Sequence, residues 1–219
     1  MNAIKPDVAE VFYKNVEWFV DFYRGLAYVL GRVWEKMRAS RHLDGLLPSP
    51  TKSLSLGAYK AGETLPEPYF AFCPDPKKRG ARTSVFVGAV LRRDWDSQRL
   101  KISSEPMLIV VAHNLRKDAG QPAKHFSEVA KRILTDTSLE DDSWRSWDDN
   151  LKFRGAFYDK NHDRVRFSGF LVRLCLFGGN CVLKGDALDH IIDKEIMNEL
   201  PRHLDRVRLE LDERKDTGQ

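Results

Sequence analysis

Four side chains of this sequence carry the strongest hint of metal chemistry. Asp186, Asp189, His190 and Asp193 share a turn of a predicted helix, and Asp186 stands four residues before His190, the spacing at which two helical side chains can reach one ion. Acidic residues in the first turn of a helix also complement its dipole and cap its N-terminus, which is the more ordinary use of such a group. The six histidines, His42, His113, His125, His162, His190 and His203, form no H-x-x-x-H or H-E-x-x-H pattern. The expectation is therefore a chain without a metal site, and, were it an enzyme, Asp186, His190 and Asp193 are where its chemistry would first be sought.

Other reactive patterns fail on spacing. Phosphate-cradling loops need G-x-G-x-x-G or G-x-x-x-x-G-K-[ST], and neither occurs. Gly178-Gly179 lies between two predicted strands, where a hairpin turn is expected. No G-x-S-x-G elbow offers a serine nucleophile. The acid-x-lysine pair of a metal nuclease is represented only by Asp75-Pro76-Lys77 in a turn and Glu213-Arg214-Lys215 in the charged tail. Cys73, Cys175 and Cys181 include no C-x-x-C pair, and a two-residue turn at Gly178-Gly179 would send Cys175 and Cys181 to opposite sheet faces, so all three read as buried thiols. No catalytic residue and no cofactor is assigned.

A charge pattern remains. From residue 75 to 124 there are eleven Lys or Arg against five acids, and most fall in turns at strand ends. Lys77, Lys78, Arg79, Arg82, Arg92, Arg93, Arg99 and Lys101, with Trp95 among them, would suit phosphates and a stacked base if successive turns share one edge. Basic loops that merely solvate a sheet have the same composition. The whole chain, at net charge +4 and pI ≈ 8.9, lies short of a committed nucleic-acid binder.

The elements that must position these residues begin with a long helix. Pro6-Asp7 starts it, and Val8, Phe12, Val16, Phe19, Tyr23, Leu26, Leu30, Val33 and Met37 recur at alternating spacings of three and four. A second row, Val11, Trp18, Phe22 and Val29, widens the stripe beyond a bare two-stranded seam. A helix of about 45 Å outreaches a compact domain of this size, so part of it is expected to pack on another chain, through Phe12, Phe19, Tyr23, Leu26, Leu30 and Val33. A break at Gly25 or Gly31, folding two shorter helices onto one core, is the competing expectation.

Strands are predicted at 54–56, 69–73, 84–91, 100–102, 107–112, 153–158, 165–177 and 181–184, with 84–91 and 100–102 forming a hairpin. A helix is inserted at 122–135, the acidic stretch 137–150 reads as a helical turn and loop, and Asp186 caps a last helix that Pro201 kinks or ends. The sum is an α+β chain read as a single domain over 1–219. A long N-terminal helix occupies 1–40, and the sheet region spans 50–186. The C-terminal helix follows at 187–204 and a charged tail at 205–219. The sheet is mostly antiparallel, of about six to seven strands, with helices packed on one face.

At 219 residues, with 42% hydrophobic and 31% charged residues, the chain can bury a core without disulfides. The best membrane candidate, 18–34, is cut by Asp21, Arg24 and Arg32, and the N-terminus lacks the apolar run of a signal peptide, so the expected location is cytoplasmic and no membrane span is expected. The leading reading is a binding or regulatory module that forms a homo-oligomer through its N-terminal helix. The alternative is a nucleic-acid or other polyanion binder using the basic turns, and the third is an enzyme with a dispersed polar site.

Overall fold

The computed structural model describes residues 8–49, 69–74, 83–90, 106–114, 145–147, 151–158, 164–178 and 183–212. Helix α1, Val8–Ala39, is uninterrupted over 32 residues. Gly25 and Gly31 do not break it: a helical glycine costs about 1 kcal/mol relative to alanine, and burial of Leu26, Val29, Leu30, Val33 and Met37 around them offsets that. Ser40 stops the helix and caps a short 3₁₀ turn, Arg41–Leu43, its Oγ accepting from the His42 N–H at 3.3 Å.

Seven strands follow among the described residues: β1 Leu46–Ser49, β2 Tyr69–Pro74, β3 Thr83–Val90, β4 Met107–Asn114, β5 Arg145–Trp147, β6 Lys152–Tyr158 and β7 Arg164–Arg173. They form one sheet in the order β1-β2-β3-β4-β7-β6-β5, with every neighbouring pair antiparallel. This is the expected α+β architecture. Strand register sorts side chains into two faces. Phe70, Val87, Val110 and Phe170 make one cross-strand row, and Phe72, Val85, Ala112 and Ser168 make the next. These rows meet α1 and the C-terminal helices in one apolar cluster. On the opposite face, Ala71, Phe86, Val111, Gly169 and Phe153 align across the same strands and are buried too. Burial on both faces explains why β4 reads as an unbroken apolar run, Met107 to Ala112, and not as an alternating one.

Several local expectations are corrected. β3 pairs with β2 on one side and β4 on the other; residues 100–102, expected as its hairpin partner, lie outside the described residues. Arg145–Trp147, in the stretch expected as a helical turn and loop, is an edge strand on β6. After Arg173 the chain leaves the sheet in a 3₁₀ turn, Leu174–Phe177, which ends at Gly178 with φ 101°, a left-handed conformation that favours glycine. Gly178 is thus a helix terminator, not the first residue of a hairpin turn; Leu183 and Lys184 are not in a strand; and Cys175 is an exposed residue of the 3₁₀ turn. Predicted strands 54–56 and 100–102 and the predicted helix 122–135 lie outside the described residues.

The C-terminal region departs most. Helix α2, Asp186–Ile192, has Gly185 at its N-cap, so Asp186 is its first helical residue and supplies no capping bond. It widens into a π turn, Asp193–Met197, and a new helix α3 runs Leu200–Asp212. Pro201 has no N–H to donate to the Met197 carbonyl, so the first helix must end, and proline is tolerated in the opening turn of the next. The charged tail expected from residue 205 is therefore helical as far as Asp212, and His203, Leu204 and Val207 of α3 are buried.

Candidate interaction surface

The long apolar stripe of α1 has two fates. From Leu26 to Met37 it is inside: Val33 and Met37 expose nothing, and Leu26, Val29 and Leu30 join the sheet and the C-terminal helices in the core. From Val11 to Trp18 it is outside, with Phe12 62% exposed, Trp18 54%, and Val11 and Val16 each exposed by two-fifths or more; Tyr13 and Val20, beside the stripe, are exposed as well. Phe19, Phe22 and Tyr23 lie at the boundary, half-buried. At 100° per residue, Val11, Phe12, Val16, Trp18, Phe19, Phe22 and Tyr23 fall on the same side of the helix as Leu26, Leu30 and Val33. One continuous face is therefore covered over its C-terminal half and open over its N-terminal half.

The open half is ordered by its own side chains. Trp18 stacks on Phe22 with centroids 5.5 Å apart, Phe19 packs on Tyr23 at 4.6 Å, and Phe12 meets Tyr13 edge-on at 5.9 Å. Charges lie outside the stripe: Glu10 pairs with Lys14 at 2.7 Å and Asp21 with Arg24 at 3.6 Å, both pairs exposed. Contiguous apolar surface of this kind, rimmed by polar residues, is a candidate interaction site. Of the six residues expected at an oligomer interface, Phe12 is exposed, Phe19 and Tyr23 are half-buried, and Leu26, Leu30 and Val33 are buried within their own chain.

Comparison with known protein families, characterised proteins and solved structures finds no match. The reading of this surface rests on its geometry.

The acidic cluster of α2 is engaged elsewhere. Arg32 of α1 donates to Asp189 through Nη2 at 2.6 and 2.8 Å and through Nε at 3.2 Å, and Lys36, one turn on, donates to Asp193 at 2.7 Å. Two basic residues four apart on α1 thus meet two acids four apart on the α2 segment, at half-buried positions. The hydrogen bonds from Arg32, with the charges of Lys36 and Arg32, hold the Asp189 carboxyl below its ordinary pKa, and the same pair raises that of Arg32. Asp186 and His190 are exposed, and among the described residues no group of three metal-ligating side chains converges.

A second polar cluster lies beneath α3. A 2.7 Å hydrogen bond links Ser168 Oγ of β7 to His203 Nδ1 of α3, and the imidazole also lies 5.1 Å from the ring of Phe170. Nearby, Lys152 of β6 donates to Glu199 at 2.6 Å, the main cause of that carboxyl's lowered pKa. A serine, a histidine and a glutamate in one neighbourhood resemble the parts of a hydrolase. They are not arranged as one, because Glu199 engages Lys152 and the Ser168 and His203 side chains are 2% and 1% exposed, closed to any substrate. The pair satisfies two buried polar groups between sheet and helix.

Sequence reading missed both clusters, since their partners lie 157 and 35 residues apart. A signal for the first was present: Arg32 and Lys36 flank the apolar stripe with the same four-residue period as Asp189 and Asp193. None announced the second. The basic residues Lys77, Lys78, Arg79, Arg82, Arg92, Arg93, Arg99 and Lys101, with Trp95, lie outside the described residues. No helix among the described residues is long and apolar enough to cross a membrane.

Proposed function

We propose that this chain is an interaction module that self-associates through the exposed N-terminal half of α1. The observation that carries the reading is the continuity of the stripe: the face that packs the chain's own core from Leu26 onward remains open from Val11 to Trp18, with aromatics as its largest members. Burying each such side chain fully is worth about 1.5–3 kcal/mol, and the aromatics lose little rotamer entropy on binding. The helix side facing away carries Glu10, Glu17 and Asp21 against Lys14 and Arg24, a net −1. That balance fits a solvated outer face and disfavours adsorption to an anionic membrane surface, which calls for Lys and Arg there.

Sedimentation velocity across a concentration series tests the proposal. Wild-type chain is expected above monomer mass at micromolar concentration. Trp18→Asp together with Phe12→Ser should return it to monomer while the helical circular dichroism of the core is retained. A wild-type monomer at tens of micromolar, or a double variant that keeps its oligomeric mass, overturns it.

A further inference from the structure

Resting on that reading, we infer that the two copies associate antiparallel about a twofold axis near residue 17 of α1, each exposed half-helix lying on the other, with the two sheet domains at opposite ends. The direction follows from where the stripe points. Over residues 26–37 the stripe of α1 is already filled by the chain's own sheet and C-terminal helices. A partner helix seated on the same face over residues 11–23 and running parallel in register would bring its residues 26–37 into that occupied volume. Running antiparallel, it lays its residues 11–23 on the open stretch alone, brings its first helical residue, Val8, level with Leu26 at the edge of the core, and carries its packed half beyond the N-terminal end of α1. The packed half of the stripe thus excludes the parallel arrangement.

Self-pairing also fits the length and composition of the surface. Each copy brings the same stretch of open stripe, so one isologous contact covers both stretches together. On one flank of the stripe Tyr13, Val16 and Val20 place no charge at the helix–helix boundary, where like charges of two copies would repel; Lys14 and Asp21, of opposite sign, border the other flank. Asn15 is the only amide of the stripe between Val11 and Tyr23 and lies within a turn of the axis. Its counterparts approach across that axis, where an amide supplies both a donor and an acceptor.

Nitroxide labels spaced a heptad apart on the solvent side read the direction. The full-length chain with Cys73, Cys175 and Cys181 replaced by alanine would carry Glu10→Cys, Glu17→Cys, Arg24→Cys or Gly31→Cys one at a time; Gly31 has open space for a side chain. For an antiparallel pair, a rise of 1.5 Å per residue gives axial label separations of about 0 Å at 17, about 20 Å at 10 and 24, and about 40 Å at 31. A dimer with equal separations at all four positions overturns the antiparallel arrangement and leaves self-association standing, whereas monomer sedimentation of the unlabelled chain overturns both. Small-angle scattering of the unmodified chain gives a second reading independent of the cysteine background. Two lobes about 45 Å apart are expected, and a single compact distribution from a dimer overturns the arrangement.

Discussion

Gly169 shows what one residue decides in this sheet. It faces Phe153 across the β6–β7 ladder, and a Cβ there would come within 2.6 Å of the Phe153 ring and collide with the Val110 carbonyl. Gly169→Ala is therefore expected to destabilise the fold by about 1–3 kcal/mol by overpacking, measured by urea unfolding; Gly31→Ala, with open space around it, is expected to be neutral or stabilising. At Ser168 the loss would be electrostatic. Ser168→Ala leaves the buried His203 Nδ1 without the hydroxyl that meets it at 2.7 Å, a cost of about 1–3 kcal/mol. A double-mutant cycle with His203→Phe should recover part of that cost, and strict additivity would show that the pair is uncoupled. Burial pushes the Cys73 thiol up to about 11, so it should resist alkylation at pH 8 until the sheet unfolds, as peptide mass spectrometry would report.

At the scale of elements, α1 is clasped to the α2 segment by charge and to the core by shape. Asp189 and Glu199 both titrate below their ordinary values in the fold, chiefly through hydrogen bonds from Arg32 and Lys152. A carboxyl whose pKa is depressed by folding contributes stability that is complete above its unfolded pKa, about 4, and is lost as pH falls through the folded value. Melting temperature should then fall below pH ~4, and more shallowly in Asp189→Asn with Glu199→Gln than in wild type; identical slopes would remove the clasp as a source of acid sensitivity. Helix α3 makes the opposite kind of contribution. Leu204 is 1% exposed, so Leu204→Ala should cost about 2–5 kcal/mol in calorimetry, and a variant as stable as wild type would remove α3 from the core.

For the whole molecule, the sheet and its helices use one half of α1, and the other half makes assembly the expected state. The melting temperature should rise with protein concentration in wild type and become independent of it in the Trp18→Asp, Phe12→Ser chain, because a partner that binds only the folded state stabilises by mass action. A concentration-independent wild type would mean that the exposed stripe has no self-partner.

Sequence alone determined what depends on local pattern. The three-and-four spacing from Val8 to Met37 specified α1 almost to its last residue, and apolar runs bounded by turn residues specified β2, β3, β4, β6 and most of β7, because helical and extended backbones place side chains at periods of 3.6 and 2 regardless of context. Tertiary structure decided what depends on partners distant in sequence. It set which strand lies beside β3 and made an edge strand of Arg145–Trp147. It turned the charged C-terminal segment into a core helix, since three apolar residues four or three apart suffice once a sheet waits to receive them. It also spent Asp189 and Asp193 on Arg32 and Lys36, and it divided one stripe into a buried half and an open half. No local rule carries that division: both halves are equally apolar to a reader of spacing, and only the finite reach of the chain's own core determines where its cover stops.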